Sequence, residues 1–105
     1  MTAEIHIIRP RGRLDSSTNP HFEEMLGAIG AGAQKLLIDF SDLNYISSAG
    51  LRVILLASKK VKANFGRLAL CCISTQISEV FDISGFSKIF DIQPTHEAGI
   101  VRLNE

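Results

Sequence analysis

The sequence predicts a single α/β domain built on parallel strands. The chain has 105 residues, one domain's worth with room for one modest core. Two short runs, "QKLLIDF" and "RLALCCIS", are almost continuously apolar, as strands buried on both faces are. Segments with helical spacing stand between and after them, which implies helical crossovers joining parallel strands.

The elements follow in chain order. "EIHIIRPRGRLDS" places Ile5, Ile7 and Ile8 in near alternation. Pro10 interrupts it, so two short strands flank a "PRGR" turn. "STNPHFEEMLGAIGAG" reads as a helix capped by Thr18 or Asn19, with Pro20 in its first turn and Glu23 and Glu24 at its positive end. Phe22, Met25, Leu26 and Ile29 form its stripe, and Gly30 and Gly32 end it. "QKLLIDF" is a buried central strand. A helix runs from Ala49 to about Ala63, apolar around much of its circumference at Leu51, Val53, Ile54, Leu55, Leu56, Ala57 and Val61. Arg67–Ser74 is a second buried strand. "TQISEVFDISG" is a helix stopped by Gly85, "SKIFDIQ" a last short strand, and "THEAGIVRLNE" a final helix weakened by Gly99.

Composition excludes several function classes. Eleven basic and eleven acidic side chains give zero formal net charge, so nothing draws the chain to nucleic acid or an anionic membrane. Lys59, Lys60 and Lys62 are the one basic cluster, and they complement the C-terminal end of a helix dipole. No leader segment and no membrane-length apolar run is evident, so a cytoplasmic location is expected. Cys71 and Cys72 are adjacent. In a strand they point to opposite faces, which argues for two small hydrophobes in a reducing compartment over a disulfide, redox pair or metal site. No His/Cys/Asp spacing reads as a ligand set, and no glycine loop reads as a phosphate cradle. No cofactor is therefore expected.

The stretch "NYISSAGLRVILL" carries the functional signal. Ser47 and Ser48 precede an apolar helix, with the small Ala49 and Gly50 leaving the turn open to close approach. One serine is explained as an N-cap; two are not. A nucleophile needs a base, but His6, His21 and His96 are scattered, and "SSAG" is not a hydrolase elbow. A phosphoacceptor fits better. Free N–H groups and the helix dipole favour an anion there, and a phosphate would change a docking surface while keeping the fold.

The run Leu36–Phe90, with "IDFSDL", "SSAGL" and "FDISGFSKIF" in order, resembles the STAS domain, especially the stand-alone bacterial anti-sigma factor antagonists. Upstream, "GRLDSST" resembles the family's "GELD" segment. The resemblance implies one domain over residues 1–105. Its sheet would be mixed, mostly parallel, of about 4–5 strands, with about four helices mainly on one face. It also implies a binding module with no catalytic residues. Its partners would be an anti-sigma factor serine kinase, which it sequesters when unphosphorylated, and a serine phosphatase that resets it. Aligned on Gly50-Leu51, Ser47 stands where the family often has Asp, Ser48 at the first hydroxyl position and Ala49 at the second. Ser48 is thus the expected phosphorylation site and Ser47 the second choice. The expected docking surface is Asp15, Ser16, Ser17 and Thr18 with Ser47, Ser48, Ala49, Gly50 and Leu51. Asp39 is expected near this corner, orienting the loop or repelling a phosphate.

Two other readings compete: an unswitched STAS scaffold of a lipid-transport or stress-sensing complex, and a small hydrolase using Ser48. The sequence leaves monomer and weak dimer both open.

Overall fold

The computed structural model describes residues 5–17, 20, 22–24, 35–63 and 65–105. Six strands form: β1 (Ile5–Ile8), β2 (Gly12–Leu14), β3 (Lys35–Asp39), β4 (Leu43–Ile46), β5 (Arg67–Cys71) and β6 (Asp91–Gln93). Three helices are numbered here: α1 (Ser48–Ala63), α2 (Thr75–Ile83) and α3 (His96–Leu103). Residues 20 and 22–24 are also helical, with Phe22 buried as its place in the apolar stripe predicts. The other residues assigned to that first helix, from its caps at Thr18 and Asn19 to Gly32, lie outside the described residues except for these four.

The main sheet has the order β1-β3-β5-β6, and every pairing in it is parallel. The two continuous apolar runs are its centre. Alternate residues of β3 and β5 serve different layers. Leu36, Ile38, Leu68 and Leu70 face the larger core with α1 and α2, while Leu37, Ala69 and Cys71 face a smaller core closed by Leu103 of α3. Helices therefore cover both faces, with more of them on one, and the α/β parallel fold expected from the sequence is the fold found.

Local differences have physical causes. β4 was not expected. Its burial pattern puts Leu43 and Ile46 inside and Asn44 and Tyr45 outside, so it has no period-two signature. It pairs parallel with β2 as a separate two-stranded sheet. "SKIFDIQ" is a strand only from Asp91. Gly85 turns with φ 76°, and Phe86–Lys88 form a 3-10 turn. That turn is held by edge-to-face rings: Phe86 on Phe90, Phe90 on Phe81 and Phe81 on Phe40, each with centroids near 6 Å. α1 is not buried all round. Arg52, Leu56, Lys59, Lys60 and Lys62 face solvent. Gly99 lies within α3, and its missing side chain lets the helix lie close on the sheet. A Cβ there would stand 2.6 Å from Leu37 Cδ1.

Candidate functional site

The two serines at the start of α1 have different jobs. Ser47 is the cap: its Oγ accepts the Gly50 N–H at 3.2 Å and donates to the Leu14 carbonyl at 3.4 Å. Its backbone N–H also donates to Leu14 O at 2.9 Å, continuing the β2–β4 pairing past Ile46. Ser48 is the first helical residue, and it is exposed. Its hydroxyl stands at the positive end of the helix dipole, and the first turn of α1 contains no acidic residue to neutralise that end.

Gly50 and Leu51 are buried, so they hold the corner in place and offer little surface for contact. The gap at Gly50 is tight. An added Cβ would lie 2.6 Å from the Leu14 carbonyl oxygen and 2.9 Å from Ile46 Cγ1. The helix start is therefore pressed against both strands of the small sheet, and only glycine fits. Ala49 is half-buried.

The small sheet also brings the second expected segment alongside. Leu14 pairs with Ile46, so Asp15–Ser17 leave β2 beside the point where Ser47 and Ser48 leave β4. Ser16 and Ser17 are exposed. Asp15 folds its own turn: Oδ1 accepts the Ser17 N–H at 3.0 Å and the Ser17 hydroxyl at 2.7 Å, and Oδ2 accepts from Arg13 Nε at 3.2 Å. Thr18 lies outside the described residues. Sequence reasoning missed Arg13 and Tyr45, which continue this surface. The Arg13 guanidinium lies 4.3 Å above the Tyr45 ring. Only the β2–β4 pairing makes them neighbours, and a strand with no alternation gave no sign of that pairing.

Asp39 is not part of this corner. It lies on the sheet face that carries α3, opposite the face that carries α1. Its carboxylate, almost wholly buried, accepts from Arg9 Nη2 at 3.2 Å and the Ser41 N–H at 2.9 Å, and lies 2.9 Å from His96 Nδ1. A carboxylate only accepts, so Nδ1 carries the proton. Burial pushes the Asp39 pKa up, but these three partners outweigh it and hold the carboxyl well below its usual range. The thiols of Cys71 and Cys72 are free and lie within 4.8 Å of that carboxylate and of each other. Burial first, then the Cys72 thiol and the Asp39 charge, push the Cys71 thiol well above its ordinary pKa. The strand rule that sent the two side chains apart stops applying at Cys72, which lies past the end of β5 with φ 61°.

This topology, with its serine corner, can be compared with known proteins. The STAS domain profile matches residues 2–99. The chain belongs to the STAS domain family. Among curated STAS relatives, it is 39% identical over 89 residues to BtrV of Bordetella bronchiseptica, provisionally named an anti-sigma factor antagonist. That match spans 84% of this chain and 77% of BtrV. It is 33% identical to the anti-sigma-B factor antagonist of Bacillus subtilis, over 85% of this chain and 82% of that protein. Among solved STAS structures, the unphosphorylated form of the anti-sigma factor antagonist SpoIIAA superposes with TM-score 0.78 at 28% identity, covering 96% of this chain and 89% of that one. SpoIIAA from Bacillus has also been solved in a phosphorylated form, with TM-score 0.71 at 24% identity, over 96% of this chain and 92% of that one. No described helix is long and apolar enough to cross a membrane.

Proposed function

We propose that this chain is an anti-sigma factor antagonist whose docking surface is switched by phosphorylation of Ser48. One observation supports the reading above the others: Ser47 is committed to capping α1, while Ser48 beside it is exposed at the helix start. A phosphate on Ser48 meets free backbone N–H groups and the helix dipole, so the element holding it stays folded. It also adds about 1.5–2 negative charges to the surface where Ser47–Ala49 and Asp15–Ser17 meet. A phosphate on Ser47 would instead disrupt the cap, which makes Ser47 the poorer acceptor.

In this reading the unphosphorylated surface binds an anti-sigma factor that is also a serine kinase. ATP-dependent modification of Ser48 ends the complex, and a serine phosphatase restores it. A specific interface of ordinary size covers roughly 800 Å² per partner. A surface that small is dominated by a few contacts, so one added phosphate ends the complex by repulsion and desolvation. The protein acts as substrate and binding module, with no catalytic group of its own at the corner.

The test is to incubate the purified chain with ATP in a lysate of its source organism and map the modified peptide by mass spectrometry. The expected result is one phosphate on Ser48, absent from Ser48→Ala. No phosphate on the Ser47–Ser48 peptide, in a lysate whose kinase modifies a control antagonist, would overturn the switch.

A further inference from the structure

On the sheet face opposite the serine corner, the geometry points to a binding site for a thiophilic divalent metal ion, of which Zn2+ is the type, held by Cys71 Sγ, Cys72 Sγ and the Asp39 carboxylate. Three features of the fold assemble it. The parallel register sets Asp39, the last residue of β3, directly beside Cys71, the last residue of β5. Both project onto the α3 side of the sheet, where Leu37 and Ala69 also point. Cys72 then takes a left-handed backbone conformation, φ 61°, uncommon for a residue with a side chain. That turn keeps its thiol near that of Cys71 when a continued strand would have sent it to the far face. Backbone conformations of this kind concentrate at functional sites.

The dimensions suit the ion. The three ligand atoms lie within 4.8 Å of one another. Tetrahedral zinc, with Zn–S of about 2.3 Å, sets ligand atoms roughly 3.8 Å apart, so only a small contraction is required. The charge also balances. Two thiolates and the carboxylate carry three negative charges, the Arg9 guanidinium on Asp39 carries one positive, and a divalent cation brings the group to neutrality. Binding replaces the two thiol protons, which leave to solvent. Arg9 and His96 both bond the Asp39 carboxylate and so orient it, as the outer partners of metal ligands do. Three protein ligands leave a fourth position for water. Cys71 and Asp39 are buried and Cys72 is half-buried, so the ion enters past Cys72.

The experiment uses the full chain, reduced and stripped of metal. Zn2+ is titrated against a chromophoric chelator, and Cd2+ is titrated separately while the ultraviolet thiolate-to-metal band is followed. The expected result is one Zn2+ per chain, with a Cd2+–thiolate band that saturates at the same stoichiometry. Cys72→Ser, at the half-buried position, should keep the native circular dichroism and bind at least roughly tenfold more weakly. Asp39→Asn, if folded, should weaken binding without abolishing the thiolate band. No stoichiometric Zn2+ uptake by the wild-type chain would overturn the proposal. So would wild-type affinity in folded Cys72→Ser.

Discussion

At the scale of single residues, two adjacent serines of the same chemistry separate into a helix cap and an exposed neighbour. Ser47 accepts a backbone N–H of the first turn and Ser48 lies exposed beside it. Losing a serine cap costs about 1 kcal/mol. Ser47→Ala is therefore expected to lower stability by about that amount in urea denaturation, and Ser48→Ala to leave it within about 0.5 kcal/mol. Equal losses from both would contradict the assignment. The sequence showed that one serine had to be a cap, but not which. The choice rests on Ser47 being bonded to Leu14 across the β2–β4 pairing, a contact between residues far apart in the chain. The acid response belongs to the same scale. Asp91 is partly buried, which raises its pKa, but Arg102 Nε at 2.6 Å and Gln93 Nε2 at 2.7 Å pull it below its ordinary value. A carboxyl with a depressed folded pKa stabilises above its unfolded pKa of about 3.9, and that contribution disappears as pH falls through the folded value. Asp91→Asn should therefore melt below wild type at pH 7, with the gap closing below about pH 4. Arg102 is nearly half exposed, so added salt should narrow the gap at pH 7.

At the scale of elements, two glycines show why helices begin or lie where they do. At Gly50 an added methyl meets the Leu14 backbone carbonyl at 2.6 Å and Ile46 Cγ1 at 2.9 Å, and backbone paired with β4 cannot turn aside as the tip of a side chain can. At Gly99 it meets Leu37 Cδ1, the far end of a side chain that can rotate, and alanine also recovers about 1 kcal/mol of helix propensity. Gly50→Ala is expected to cost about 1–3 kcal/mol, and Gly99→Ala less than about 1 kcal/mol. Thermal melts of the two variants compare them directly, and a larger loss at Gly99 would contradict this account. The strongly patterned elements, β3, α1, β5 and α2, were legible because burial on a regular lattice writes a period into the sequence. β4 wrote none, since its two middle residues both face solvent. The 3-10 turn at Phe86–Lys88 was hidden because its apolar residues serve an aromatic cluster and not a strand face.

At the scale of the whole molecule, a parallel sheet with helices on both faces keeps two sets of chemistry apart. On one side α1 presents Ser48; on the other Asp39, Cys71, Cys72 and His96 gather beneath α3. The first set was readable from a local motif. The second was not, because its members come from the ends of β3 and β5 and the start of α3, and only the strand register brings them together. The measurement that bears most directly on the proposed switch is the affinity of the chain for the anti-sigma factor kinase proposed as its partner, taken with Ser48 unmodified and stoichiometrically phosphorylated. Like charge brought into an interface costs several kcal/mol, so binding should weaken by roughly a hundredfold or more while the circular dichroism stays unchanged. Equal affinity of the two forms would show that Ser48 does not control the partner.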